Sequence, residues 1–263
     1  MRTITTTGLL RYPGGKTRAK TTLARYLDSK DEKILSPFFG GGSFELYATG
    51  KGHKVDGYDA FYPVACFWNQ VINHPKKLAE NISSYLGKVD KEMFKTLQAK
   101  IKDRDFTDDM ELATLFFVIN RCSFSGATLS GGFSASAARD RFTPSSVHRV
   151  ESFSNPHLEV SCGNAFDILQ EDLSSYDLIF LDPPYKLDDS FLYGVQGDTH
   201  RGFNHQEFAD LVHRTGKDNK IILTYNDSSD IREMYSGFRI DKAQWSYGMN
   251  ASKKSSEVII SNF

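Results

Sequence analysis

Leu178-Ile179-Phe180-Leu181-Asp182-Pro183-Pro184-Tyr185 is a run of four apolar residues that delivers an acid, two prolines and an aromatic ring. Unbroken apolar character over so short a length predicts a strand buried on both faces, as in a parallel sheet. Open α/β sheets collect their ligands at the carboxyl ends of such strands, which makes Asp182, Pro183, Pro184 and Tyr185 candidates for chemistry. Two successive prolines remove two backbone donors and fix φ twice, so the segment is stiff and its carbonyls are unpaired acceptors. A carboxylate, a carbonyl and an aromatic face presented together suit a planar heteroaromatic amine, which needs acceptors for an exocyclic NH₂ and a ring to stack on.

Working outward, short apolar strands are predicted at 33–39, 54–59, 157–162 and 220–225, and a closing hairpin at 239–247 with 257–262. Helices are expected at 17–27, from Ser43, and after Asn204 and Glu207, which can cap one. From 62 to 120 the period is helical, with breaks near Pro75, Gly87 and 104–107, and Asp108 with Glu111 reads as a capping box for a helix through Ile119. Between 121 and 144 glycine, serine and alanine replace the apolar period, so a long loop is expected there. The fold class is therefore α/β, a Rossmann-like sheet interrupted by a mostly helical insertion. The expected division is a catalytic domain from 1–61 and 153–263, with an inserted domain at 62–152.

The 263 residues, 40% hydrophobic and 25% charged, are enough for a sizeable core and exclude a mini-protein stapled by metal or disulfides. No apolar run is long enough for a membrane span, and no secretory signal is visible, so a cytoplasmic location is expected. Cys66, Cys122 and Cys162 have no C-x-x-C spacing and read as reduced packing residues, with no metal site. A net charge of -1 argues against a general nucleic-acid coat but leaves room for local basic faces. Residues 1–33 carry eight Lys and Arg against three acids, and 120–150 carry Arg121, Arg139, Arg141 and Arg149 against Asp140 alone.

Pro37-Phe38-Phe39-Gly40-Gly41-Gly42-Ser43-Phe44 also lies at a strand end and opens a helix, where successive glycines let backbone approach a ligand. Gly40 and Gly42 match the start of a dinucleotide fingerprint, but Glu45 stands where its third glycine belongs, which disfavours NAD. Asp59, at the end of the next strand, is placed to take a ribose diol, so the pair fits an adenosine-type ligand without a pyrophosphate. Tyr12-Pro13-Gly14-Gly15-Lys16-Thr17 ends like a P-loop, yet Leu10 occupies the position of its first glycine. ATP hydrolysis by that route is disfavoured. No Pro-Cys pair is present, so no thiol nucleophile is indicated.

Together the three motifs, in this order, resemble the Dam-like, alpha-class adenine-N6 DNA methyltransferases, with P-G-G-K, F-x-G-x-G and D-P-P-Y. The resemblance extends to Asn120-Arg121-x-x-Phe124-x-Gly126 and to Glu257-Val258-Ile259-Ile260-Ser261-Asn262. It implies that Phe39, Gly40, Gly42 and Ser43 border S-adenosylmethionine, that Asp59 takes its ribose hydroxyls, and that Tyr12, Gly15 and Lys16 close over its methionine end. Asn164, followed by Phe166, stands where relatives usually have an aspartate for the cofactor's adenine amine, and Ser36 where many have an acid. Asp59 is then expected to carry more of the polar binding.

The resemblance also implies the reaction. Asp182, which borders the cofactor as well, and the Pro183 carbonyl would accept both N6 hydrogens of an adenine flipped out of double-stranded DNA, with Tyr185 stacked on it. Arg121, Ser123, Phe124, Arg139 and Arg141 are the expected DNA contacts, with at least one of Arg139 and Arg141 reading a base edge. A monomer or weak dimer is expected, and a cognate restriction endonuclease is a candidate partner. The rivals are the same chemistry on cytosine N4, RNA or a glutamine amide, and a non-catalytic DNA-binding module.

Overall fold

A computed structural model describes residues 4–186, 202–243 and 257–263. Seven strands form one sheet: β1 Lys33–Ser36, β2 Lys54–Asp59, β3 Leu158–Cys162, β4 Leu178–Leu181, β5 Ile221–Asn226, β6 Arg239–Lys242 and β7 Glu257–Ser261, in the spatial order β3-β2-β1-β4-β5-β7-β6. β1 to β5 pair in parallel, and β7 enters antiparallel between β5 and β6. The strand order reverses between β1 and β4, which opens a crevice beyond their carboxyl ends. β4 is buried at all four positions, as its unbroken apolar run requires. β1 stops at Ser36 because Pro37 cannot donate to the ladder, which shortens the strand expected to reach Phe39.

The helices are α1 Lys20–Leu23, α2 Ser43–Thr49, α3 Tyr62–Asn73, α4 Pro75–Ser83, α5 Lys91–Lys102, α6 Asp109–Cys122, α7 Ala135–Asp140, α8 Pro144–Glu151, α9 Ala165–Ile168, α10 His205–Thr215 and α11 Ser229–Met234. α3 to α8 lie between β2 and β3. Their breaks fall at the expected places, since α4 begins at Pro75 and Asp90 caps α5 by accepting from the Met93 amide. α6 is buried from Leu112 to Cys122 and is the axis on which α3, α4, α5 and α7 pack. This helical layer shares one continuous apolar core with the sheet, in which Phe67, Phe116 and Phe117 join Ile34, Phe39 and Val55.

Several expectations need correction. The helix expected at 17–27 shrinks to α1 and a 3₁₀ turn, because Ala19 supplies no capping side chain and two threonines follow Lys20. Asp108 caps α6 through the Glu111 amide, but the Glu111 carboxylate reaches back to Thr107 and not to Asp108, so the box closes one residue early. The segment expected as a long loop, 121–144, contains a 3₁₀ turn at Phe124–Gly126 and helix α7, followed directly by α8. Ser134 caps α7 and Thr143 with Ser146 forms a capping box before Pro144, so local capping organises what widely spaced core residues do not. Leu129 and Phe142, with Val147 and Val150 of α8, are the buried anchors. Cys162 is exposed, unlike Cys66 and Cys122. The closing hairpin forms between β6 and β7, and residues 244–247 of its expected first arm lie outside the described residues.

Candidate active site

The crevice beyond β1 and β4 is a cleft of about 600 Å³, within the range of small-molecule sites. Every residue expected around the cofactor and the target amine lines it: Tyr12, Gly15 and Lys16 from the first loop; Phe39, Gly40, Gly42 and Ser43 after β1; Asp59 after β2; Asn164 and Phe166 after β3; and Asp182, Pro183, Pro184 and Tyr185 after β4. Gly40 holds φ at +49°, and a Cβ there would stand 2.8 Å from the Tyr12 ring, so glycine is what lets the first loop close onto the turn. The Gly40 carbonyl is fixed by the buried Trp68 indole at 2.9 Å.

Asp59 accepts the Gly40 and Phe61 amides, each at 2.8 Å, one on each carboxylate oxygen. Burial pushes its pKa up to about 6 against the pull of those two bonds. Asn164, which lines the cleft, caps α9 with Oδ1 by accepting the Phe166 amide at 2.9 Å, which leaves that oxygen one further lone pair.

Asp182 is held from two sides. Lys16 Nζ lies 2.7 and 2.8 Å from its two oxygens, and Thr224 Oγ1, on the neighbouring β5, donates to Oδ1 at 2.6 Å. The Lys16 ammonium also donates to the Gly14 carbonyl at 3.1 Å and stands 4.9 Å over the Tyr185 ring. A carboxylate offers about four lone-pair sites, so these three contacts leave room for roughly one more donor. Tyr185 in turn stacks on buried Tyr225 at 5.7 Å and 22°, and the Tyr225 hydroxyl pairs with His205 Nδ1.

Sequence reasoning missed Thr224, Glu45 and Glu257. Thr224 carries no motif of its own. Glu45 was read only as a residue that breaks a glycine fingerprint, yet it is buried and lines the cleft, as does Glu257 at the start of β7. Ser36 Oγ donates to Glu45 Oε1 at 2.7 Å, so an acid does stand beside position 36, delivered from α2.

Among the expected DNA contacts, Phe124 is 72% exposed on its 3₁₀ turn, and Arg139 and Arg141 are exposed. Arg121 and Ser123 are corrected, because both point inward. Arg121 Nε donates to the Arg141 carbonyl and its Nη1 to that of Leu9, while Ser123 Oγ donates to the Asn120 carbonyl and accepts the Thr128 amide. Arg11, which sequence reasoning did not single out, is clamped by Asn120 through both its amide and its carbonyl and donates to the Ser123 carbonyl. Burial, then Arg149, Arg11 and Arg141, lower the Arg121 pKa to about 10. No carboxylate among the described residues forms an ion pair with any of these four guanidiniums. Arg139 is instead held by Asp140 through both Nε and Nη2.

The sheet and cleft define a doubly wound α/β fold whose cleft lies at the switch point of its sheet. The chain belongs to the D12 class N6 adenine-specific DNA methyltransferase family, whose model matches residues 12–249. It is thus an enzyme that methylates adenine N6 in DNA with S-adenosylmethionine as methyl donor. No curated protein matches the sequence significantly. Similar solved structures include a putative methyltransferase, yhhF, from Escherichia coli, at 11% identity and TM-score 0.39, covering 93% of this chain and 82% of that one. The rRNA methyltransferase aviRa from Streptomyces viridochromogenes matches at 12% identity and TM-score 0.36, covering 95% and 85% respectively. No described helix is long and apolar enough to cross a membrane, and the described residues hold no cluster of three or more potential metal ligands.

Proposed function

We propose that the cleft binds S-adenosylmethionine between the β1 turn and Asp59, and that the carboxyl end of β4 receives an adenine flipped out of double-stranded DNA. The observation that carries this reading is the convergence on one cleft of Asp182, Tyr185, the glycine turn and Asp59. The group fits the residues: the cleft of about 600 Å³ suits a nucleoside-sized ligand, and Asp59 and Asn164, which line it, offer carboxylate and amide oxygens as acceptors. When bound, the cofactor supplies a methyl group on a positively charged sulfur.

Adenine N6 is a poor nucleophile because its lone pair is delocalised into the ring. The one free acceptor site of Asp182 and the Pro183 carbonyl take its two hydrogens, which favours a pyramidal nitrogen with its lone pair available for in-line attack. Lys16 and Thr224 fix the carboxylate in advance, so no reorganisation is needed at that moment. The surplus proton then leaves to Asp182 or to water beside it. A base inside a duplex cannot reach this geometry, so flipping is required.

Asp59→Ala should weaken cofactor affinity with a smaller effect on the transfer step once the enzyme is saturated. Calorimetry that finds unchanged binding would remove Asp59 from the site.

We assign target recognition to the segment 62–152, with Phe124 and the guanidiniums of Arg11, Arg141 and Arg149 facing DNA. Arg121 supports this surface from beneath by its bond to the Arg141 carbonyl. Of the two candidate base readers, Arg141 forms no ion pair among the described residues, while Arg139 is held by Asp140. Arg141→Ala should cost about 1 to 3 kcal/mol on the cognate site and relax specificity at one position. Arg149→Ala should weaken binding to all DNA and reduce the salt slope by roughly one. Filter binding across single-base variants and salt concentrations separates the two, and unchanged discrimination by Arg141→Ala rejects its reading role. Sequencing modified bases in DNA from a strain that expresses the chain would reveal the sequence methylated, which a companion restriction endonuclease would have to share.

A further inference from the structure

Glu45 is a buried acid for which the proposed methyl transfer has no use. It lies in the first turn of α2, is 3% exposed, and lines the cleft. Ser36 Oγ, itself fully buried at the end of β1, donates to its Oε1 at 2.7 Å. Burial is the main influence on this carboxyl and pushes its pKa up to about 7 against the pull of hydrogen bonds from its own backbone amide and from Ser36, with the Asp182 charge adding to the rise and Lys16 opposing it. Glu45 lines the same cleft as the Lys16–Asp182 pair. Lys16 is committed to Asp182 at 2.7 Å, so no ion pair among the described residues neutralises Glu45. A buried carboxyl is costly unless something pairs with it.

We propose that Glu45 is a cofactor-binding residue that takes the α-ammonium of the methionine end of S-adenosylmethionine. The inference rests on the cleft being the cofactor site, as proposed above. The chemistry is that of a preformed socket for a cation: Ser36 orients one oxygen, burial shields the carboxyl from bulk water, and a primary ammonium supplies the missing charge. Lys16 is then free to hold the carboxylate needed for transfer, so the two acids divide the labour between cofactor and target amine.

The test compares two probes by calorimetry or competition: S-adenosylhomocysteine, which carries the amino-acid end, and 5′-methylthioadenosine, which lacks it. Glu45→Gln is close to isosteric and keeps an acceptor for Ser36. It should weaken S-adenosylhomocysteine by about tenfold, the loss of one charge-assisted contact, while leaving methylthioadenosine unchanged. Asp59→Ala should weaken both probes, because both carry the ribose. Equal weakening of both by Glu45→Gln, or no weakening of either, overturns the proposal. If neither probe binds the wild-type protein, the cofactor reading of the cleft falls first, and that result is distinct from a failure of Glu45 alone.

Discussion

Asp182→Ala should reduce the single-turnover rate of methyl transfer by a factor of about 10² to 10³ or more, the usual cost of losing a positioned charge-stabilising group. The structure sharpens what else the substitution does. Lys16 is 5% exposed and bonded to this carboxylate, so alanine leaves a buried ammonium without its partner. Some loss of stability should accompany the loss of rate. Asp182→Asn separates the two effects, since the amide oxygen still accepts from Thr224 or Lys16 and fills the same volume. It should melt cooperatively and above the alanine variant, though below wild type because Lys16 still loses its countercharge, and still lose at least about two orders of magnitude in rate, because an amide is a weaker acceptor for the N6 hydrogens and cannot take the proton. Either variant retaining more than about a tenth of the wild-type rate in a labelled-cofactor assay would be incompatible with the role given to this residue.

How much of this site is legible in the sequence depends on how each residue is placed. Asp59 and Asp182 sit at strand ends and Phe39 and Gly40 in the turn that follows β1, so once the apolar runs are found their convergence follows from topology. Thr224 is different: it lies inside β5 and reaches Asp182 only because β4 and β5 are neighbours in register, Leu181 beside Leu223. Pairing of that kind has no local signature. Arg121 fails for another reason. An arginine in a segment poor in acids reads as surface, and only the three-dimensional packing of α6 shows that its guanidinium is satisfied by the carbonyls of Leu9 and Arg141. The helices α7 and α8 were hidden by a search for apolar period, although Ser134 and Thr143-Pro144 are start signals in plain view. Capping residues define these short helices better than periodicity does, because six or eight residues hold too few turns for a period to emerge.

Tyr185→Ala should shift the base-flipping equilibrium against the extruded adenine by roughly 5- to 150-fold, the equivalent of about 1 to 3 kcal/mol of lost base stacking. The ring is held by its neighbours. Tyr225 stacks against it at 5.7 Å, and Tyr225 is itself fully buried and tied to His205, so the plane of Tyr185 is set before any base arrives. A prearranged face costs little ordering when the base docks. Phenylalanine keeps that face and should retain most of the effect, whereas alanine removes it. Rate measurements alone would mislead here, because the Lys16 ammonium that grips Asp182 also rests 4.9 Å over the Tyr185 ring, and truncation exposes the catalytic pair as well as the platform. Flipping must be read separately, with 2-aminopurine at the target position and without methyl transfer. Fluorescence enhancement in Tyr185→Ala equal to wild type would remove the stacking role, and any loss of rate would then belong to Lys16 and Asp182. A Tyr185→Phe protein as impaired in flipping as the alanine variant would instead move the function from the ring to its hydroxyl.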